Sequence, residues 1–245
     1  MRSRFIPVLL LDRDRRLVKT VRFGERTYIG DPFNVIRLFN EKEVDEICIL
    51  DIDATSDGRL PDAGFIAELA SECFMPLSYG GGLRPGAPVE ALARGGVEKF
   101  VIGSAAGDTN YISDLAQTFG SQAIVGCVDY RDDNGCQVHI VNGKKPLPQH
   151  IGAYMKQLEQ AGVGELLFQS IDRDGMRDGM DLNSITQFSE ALTVPLVALG
   201  GAREVADLDN ALAAGASAAA SGSAFCFIGN LRAVLVTYPT VDALA

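Results

Sequence analysis

Three features of the 245-residue sequence predict a (β/α)8, or TIM, barrel built of two similar half-barrels: an internal repeat of half the chain, an alternation of strand-like and helix-like segments, and a length suited to eight such units. The repeat is anchored by Met75–Arg84 (MPLSYGGGLR) and Val194–Arg203 (VPLVALGGAR). Pro76, Leu77, Gly81, Gly82 and Arg84 recur as Pro195, Leu196, Gly200, Gly201 and Arg203, all at an offset of 119 residues. Gly103-Ser104-Ala105 recurs as Gly222-Ser223-Ala224 at that offset, and Asp51-Ile52-Asp53 as Asp172-Arg173-Asp174 at an offset of 121. A repeat this long holds several strands and helices, so it is half a domain rather than a solenoid unit. The whole chain, 1–245, reads as one barrel domain with halves of about 1–120 and 121–245.

The elements follow in order. Arg4–Leu11 (RFIPVLLL) is apolar without alternation, as a strand covered on both faces requires. The polar, basic segment Asp12–Ile29 contains a short alternating stretch that predicts a hairpin within a long loop. Asp31-Pro32 supplies an N-cap and a first-turn proline, and Val35, Ile36, Leu38 and Phe39 supply the helical period. Strand Glu46–Ile52, helix Pro61–Cys73, strand Met75–Tyr79, helix Pro85–Gly95, strand Lys99–Ile102, helix Asp108–Phe119 and strand Ala123–Asp129 come next. Arg131–Lys145 carries Asn134-Gly135 and Asn142-Gly143 around QVHIV, the signature of a β-ribbon inserted after the fifth strand. Helix Gln149–Ala161, strand Glu165–Ser170, helix Leu182–Ala191, strand Pro195–Ala198, helix Glu204–Ala214, strand Ser217–Ser221 and a terminal helix complete the series. Such an order calls for parallel strands joined by helical crossovers, and a half-repeat at eight units fits a closed barrel better than an open doubly wound sheet.

Composition narrows the function. Apolar content of 47% and charged content of 22% describe a globular protein with a sizeable core. A net charge of −10 argues against a general nucleic-acid or anionic-membrane surface, while leaving room for a local basic pocket. Cys48, Cys73, Cys127, Cys136 and Cys226 are odd in number and scattered, which favours free thiols in a reducing compartment. With no signal-peptide core and no bilayer-length apolar run, the expected location is the cytoplasm.

In a barrel of this type the loops after the strands carry the chemistry. Gly81-Gly82 and Gly200-Gly201 follow the third and seventh predicted strands; Gly103-Ser104 and Gly222-Ser223 follow the fourth and eighth. Glycines let backbone N–H groups approach an anion with no Cβ in the way. A single glycine pair would mean only a tight turn. Two equivalent sets on opposite sides of one barrel mouth point to an elongated ligand with a phosphate at each end. Asp51, Asp53, Asp129, Asp172 and Asp174 sit at the same strand ends, and Asp129 closes an otherwise apolar strand, where burial favours general acid/base use. Asp57 and Asp178 read as loop or cap carboxylates. Lys19 and Lys144 lie on polar loops able to close over an anionic ligand. His139 and His150 have no ligand-like spacing, so neither a metal nor another cofactor is expected.

The strings LVK (17–19), LDIDATSDGR (50–59), YGGG (79–82), GSAA (103–106), SIDRDGMRDGMD (170–181) and ALGGA (198–202) resemble the cyclase subunit of imidazole glycerol phosphate synthase, the HisF family, over nearly the whole chain. The resemblance implies a barrel that receives ammonia from a HisH-like glutaminase on its N-terminal face. The ammonia is joined to a bisphosphorylated ribulosyl substrate. It assigns Asp129 to one of two catalytic aspartates, Lys19 to the loop-one lysine and Asp51 to a mouth carboxylate. Gly82, Gly103, Ser104, Asp174, Gly175, Gly201, Gly222 and Ser223 fall in phosphate-binding strings. Glu46, Lys99 and Glu165 match three of four charged residues at the ammonia entrance, the fourth being Arg4 or replaced by Phe5.

One position departs from the family. Counting back from Lys19 puts the other catalytic aspartate at Leu11, and neighbouring Asp12 is expected on the opposite face. Losing an acid/base group while keeping the ammonia entrance resembles a paralogous branch. That branch works with a glutaminase-like partner and a sugar amidotransferase to place acetamidino groups on surface-polysaccharide sugars. VLLL, IDATSDGR, ASECFMPLSYGGG and AAASGSAF look like that branch. The competing expectations are the histidine-pathway cyclase, a non-catalytic ammonia conduit and a phosphoribosyl-type aldose–ketose isomerase.

Overall fold

The computed structural model describes residues 4–132, 135–228 and 233–239. The first strand, β1 (Phe5–Leu11), is followed by the hairpin β2 (Leu17–Thr20) and β3 (Arg26–Gly30). Helix α1 (Pro32–Glu41) starts where expected, with the Asp31 carboxylate accepting from the Asn34 N–H and Pro32 in the first turn. Strand β4 (Ile47–Asp51), α2 (Ala63–Ser71), β5 (Leu77–Gly80), α3 (Val89–Arg94), β6 (Lys99–Ile102) and α4 (Thr109–Phe119) complete the first half. The second half begins with β7 (Ile124–Arg131) and the antiparallel ribbon β8 (Gln137–Ile140) and β9 (Lys145–His150). Then come α5 (Ile151–Ala161), β10 (Glu165–Ser170), α6 (Leu182–Ser189), β11 (Leu196–Leu199), α7 (Val205–Ala213) and β12 (Ala218–Ser221).

Strands β1, β4, β5, β6, β7, β10, β11 and β12 pair in parallel in that circular order, and the β12–β1 ladder closes the barrel. Both hairpins predicted between strands and helices are present. The terminal helix is not found among the described residues. Instead β13 (Phe227–Ile228) pairs antiparallel with β14 (Ala233–Val234), and the remainder of that segment lies outside the described residues. The Asn134 half of the Asn134-Gly135 turn also lies outside them.

Alternation along each barrel strand divides the core in two. Phe5, Leu9, Leu11, Ile47, Ile49, Phe100, Leu166 and Phe168 point outward into the layer shared with the helices. Ile6, Val8, Leu10, Cys48, Val101, Val125, Leu167, Val197, Leu199, Ala218 and Ala220 fill the barrel interior, with Leu50, Ile52 and Cys127 packed against them. Apart from polar residues at the two ends of the barrel, both faces of the strands are therefore apolar, which is why the strand sequences show little alternation.

Candidate active site

The glycine pairs set the backbone of the mouth. Gly81 (φ +112°) and Gly82 (φ +67°) repeat as Gly200 (φ +107°) and Gly201 (φ +98°), all in the left-handed region that side chains disfavour. A Cβ on Gly81 would run into the Asp51 carbonyl, and one on Gly201 into the Gly179 carbonyl. The two halves thus fold the same loop twice, at opposite sides of the mouth.

A cavity of about 260 Å³ opens there, lined by Gly81, Gly82, Gly103, Ser104, Asp51 and Asp129 among others. A second, small one of about 20 Å³ is lined by Asp174, Gly175, Gly200, Gly201, Gly222 and Ser223. The structure therefore brings all ten predicted phosphate-string residues to the mouth, six on the second side and four on the first.

Lys19 comes from β2, not from the rim. Its buried ammonium donates to the Val8 carbonyl and stands directly over Gly222, inside the second cavity. Burial pushes its pKa down. The hairpin carrying it is latched across the mouth: the Thr20 hydroxyl donates to Asp174 at 2.6 Å, and the Arg22 N–H to the Asp174 carbonyl at 2.9 Å. Asp174 itself is held above the ordinary carboxylate range by burial, against the opposing pull of Thr20 and the Phe23 N–H. The β8–β9 ribbon covers the other side. Its Val141 N–H donates to Ser104 Oγ at 2.9 Å, and Asn142 lines the larger cavity. Lys144, at the ribbon tip, is exposed.

Asp129 lies at the end of β7, open to the cavity on one side only. Burial raises its pKa to about 6, against a 3.2 Å hydrogen bond from the Cys127 thiol that favours the ionised form. Such a carboxyl can give and take a proton near neutrality. Asp51 is different. It lines the same cavity, but it accepts from the N–H groups of Asp53 and Ala54 and both oxygens meet the Arg59 guanidinium at 3.3 Å. Asp53 is likewise committed, gripped by Arg26 through two 2.7 Å bonds that hold its carboxyl below the usual range.

At the opposite end of the barrel, Glu46, Lys99 and Glu165 form a ring. Lys99 Nζ reaches Glu46 at 2.9 Å and Glu165 at 2.8 Å. Burial opposes the charge on Lys99, but the two carboxylates more than reverse this and hold its pKa up. Ser78 donates to Glu46 at 2.6 Å. The fourth member is Arg4, which pairs with Glu165 and lies 3.8 Å from Glu46; Phe5 faces outward. Immediately above the ring is a pocket of about 20 Å³ walled by Ile6, Cys48, Val101, Val125, Leu167, Val197 and Ala220.

The phase that turns Arg4 inward also corrects the reading of the strand end. Positions 4, 6, 8 and 10 face the interior, so Leu11 packs among the outer hydrophobics and Leu10 is the residue of β1 that lines the larger cavity. Asp12 is no substitute: its oxygens accept from the Asp14 and Arg16 N–H groups and the Arg16 guanidinium, outside the mouth. The sequence reading also missed Gln169, which lines both cavities, although it is the one polar side chain between Glu165 and the end of the strand. Among the described residues no cluster of His, Cys, Asp and Glu could hold a metal, and no helix is long and apolar enough to cross a membrane.

The sequence pattern of the family described as histidine biosynthesis protein matches residues 4–231. A Pseudomonas aeruginosa protein provisionally named imidazole glycerol phosphate synthase subunit hisF2 is 46% identical, over 100% of this chain and 98% of its own. A Vibrio vulnificus protein provisionally named subunit hisF3 of the same synthase is 40% identical, over 98% of this chain and 94% of its own. The Campylobacter concisus imidazole glycerol phosphate synthase subunit HisF is 35% identical, over 92% and 90%. With the family pattern spanning the barrel and relatives aligned along nearly its full length, the chain belongs to the histidine biosynthesis protein family and, within it, to the HisF group.

Proposed function

We propose that this barrel is the synthase subunit of a glutamine-dependent amidotransferase, joining ammonia released by a HisH-like glutaminase to a phosphorylated substrate in the mouth. One observation carries this reading: a charged ring, an apolar interior and a two-cradle mouth with a protonatable carboxyl lie in sequence along the barrel. Ammonia crosses an apolar interior as the neutral molecule, so the ring of Arg4, Glu46, Lys99 and Glu165 is the entrance and the glutaminase docks beside it. Gly81, Gly82, Gly103 and Ser104 hold one phosphate; Asp174, Gly175, Gly200, Gly201, Gly222 and Ser223 surround the other, with Lys19 supplying charge. Asp129 exchanges the proton, and Asp51 shapes the loop beneath the first phosphate.

Leu10 favours the acetamidino-sugar branch, in which a sugar amidotransferase completes the assembly and the location is the cytoplasm. A leucine cannot exchange a proton, and general acid/base catalysis is typically worth about 10²–10⁴-fold. The cyclase step of histidine biosynthesis is the second reading, favoured by the names of the relatives. Turnover of the bisphosphorylated ribulosyl substrate with excess ammonium salt and no partner separates them. The branch reading expects no imidazole glycerol phosphate from the wild type and measurable product from Leu10→Asp. Ready turnover by the wild type would establish the histidine-pathway reading instead. No binding of the substrate by either protein would sink the synthase assignment.

A further inference from the structure

The two mouth cavities share three lining residues, Leu10, Thr20 and Gln169, and these form the waist that any ligand spanning both must cross. Leu10 offers no polar atom. The Thr20 hydroxyl is already donated to Asp174 at 2.6 Å. Gln169 remains. Positions 165, 167 and 169 of β10 face inward, as the ring carboxylate of Glu165 and the interior Leu167 show. Its ladder partner on β7 is Asp129, so the carboxamide and the carboxyl stand side by side on neighbouring strands, facing one mouth. Gln169 is 5% exposed, yet its carboxamide makes no hydrogen bond to any described residue. With its carboxamide opening onto both cavities and no protein partner among the described residues, it is placed to be paired by what enters the mouth.

We propose that Gln169 is a specificity-determining residue that hydrogen-bonds the middle of the substrate, between its two phosphates and beside Asp129. This rests on the reading of the mouth as a bisphosphate site. The group it takes is neutral and both donates and accepts, a hydroxyl or a carboxamide. A third anion is disfavoured there, because the carboxamide brings no charge and ionised Asp129 repels one. Gln169 thereby supplies the polar contact at the waist that Leu10 lacks, selecting a substrate by its centre while the cradles read its ends.

Calorimetric titration of the full chain with two probes, inorganic phosphate and the bisphosphorylated ribulosyl substrate, tests this. Phosphate alone occupies the cradles and does not reach the waist. Gln169→Met keeps the length and volume of the side chain but removes its hydrogen bonds. Expected is unchanged affinity for phosphate and roughly tenfold weaker affinity for the bisphosphate. Gln169→Asn, which keeps the amide but withdraws it by one methylene, is expected to lose affinity for the bisphosphate alone as well. Wild-type bisphosphate affinity in both variants overturns the role of Gln169 and leaves the bisphosphate reading standing. Failure of the wild type to bind the bisphosphate overturns both. Parallel loss for both probes means that Gln169 only supports the local fold, and it too overturns the proposal.

Discussion

Replacing Asp129 with asparagine is expected to make the barrel more stable and less active at the same time. The carboxyl is held at about 6 by burial, against an ordinary 3.8. Each tenfold change in proton affinity corresponds to about 1.36 kcal/mol, so ionising Asp129 in the folded chain costs about 3 kcal/mol more than in the unfolded one. Water in the cavity reduces this, and a gain of about 1–3 kcal/mol is the working expectation for the neutral isostere. The sign follows from the raised value. Below pH 3.8 the carboxyl is protonated in both states and the substitution changes little. Between about pH 4 and 6 the unfolded chain ionises while the folded one resists, and the wild type loses stability relative to the variant. Above pH 6 the difference is constant. Urea unfolding of both proteins from pH 4 to 8 reads this directly, with ammonium-dependent turnover measured beside it. A stability difference that does not change with pH, or an asparagine variant less stable at pH 8, would refute the argument that Asp129 is held in an environment hostile to its charge. Unchanged turnover would refute its catalytic role.

Lys99→Met leaves Glu46 and Glu165, each with side chains 7% exposed, facing each other with Arg4 as the remaining cation of the ring. A loss of about 2–4 kcal/mol in urea unfolding is expected, together with impaired use of glutamine but not of free ammonium; equal impairment with both nitrogen sources would count against an entrance. Gly201→Ala forces a Cβ into the Gly179 carbonyl at φ +98°, and is expected to cost about 2–4 kcal/mol and to abolish phosphate binding on the second side of the mouth; an unaltered melting curve would mean that the loop relaxes freely. Leu11→Asp places a charge in the outer apolar layer and is expected to cost about 3 kcal/mol or more, whereas Leu10→Asp, facing the cavity, costs far less. The reverse order of stability would overturn the assigned phase of β1.

That phase marks the limit of what the chain declared in advance. The closed barrel, both insertions and the mouth glycines were legible because each leaves a local mark: a repeat, an Asn-Gly turn, a backbone that only glycine tolerates. The facing of RFIPVLLL left none, since its inward and outward sides are equally apolar. The alternative of Arg4 or Phe5 at one end and the placement of Leu11 at the other were a single ambiguity of one residue, and the Arg4 contact with Glu165 resolves both. Gln169 was hidden differently: a polar residue in a buried strand has no partner in its own segment, and only the shared wall of two cavities reveals its purpose. Thr20 and Asp174, 154 residues apart, were each visible as loop residues, but the bond between them is a fact of tertiary structure.

The duplicated glycine loops carry a final consequence. A socket made by repeating one backbone is close to a palindrome, and a ligand with a phosphate at each end would enter it in either direction with similar contacts at its tips. Among the described residues the unrepeated parts break that symmetry: Lys19 reaches over Gly222 with no counterpart over Gly103, and the ribbon bonds Ser104 but not Ser223. On the proposed bisphosphate reading, the orientation of the ligand at Asp129 would therefore be set by the two insertions rather than by the barrel. In a fold assembled from equal halves, chemistry with a direction had to come from what the halves do not share.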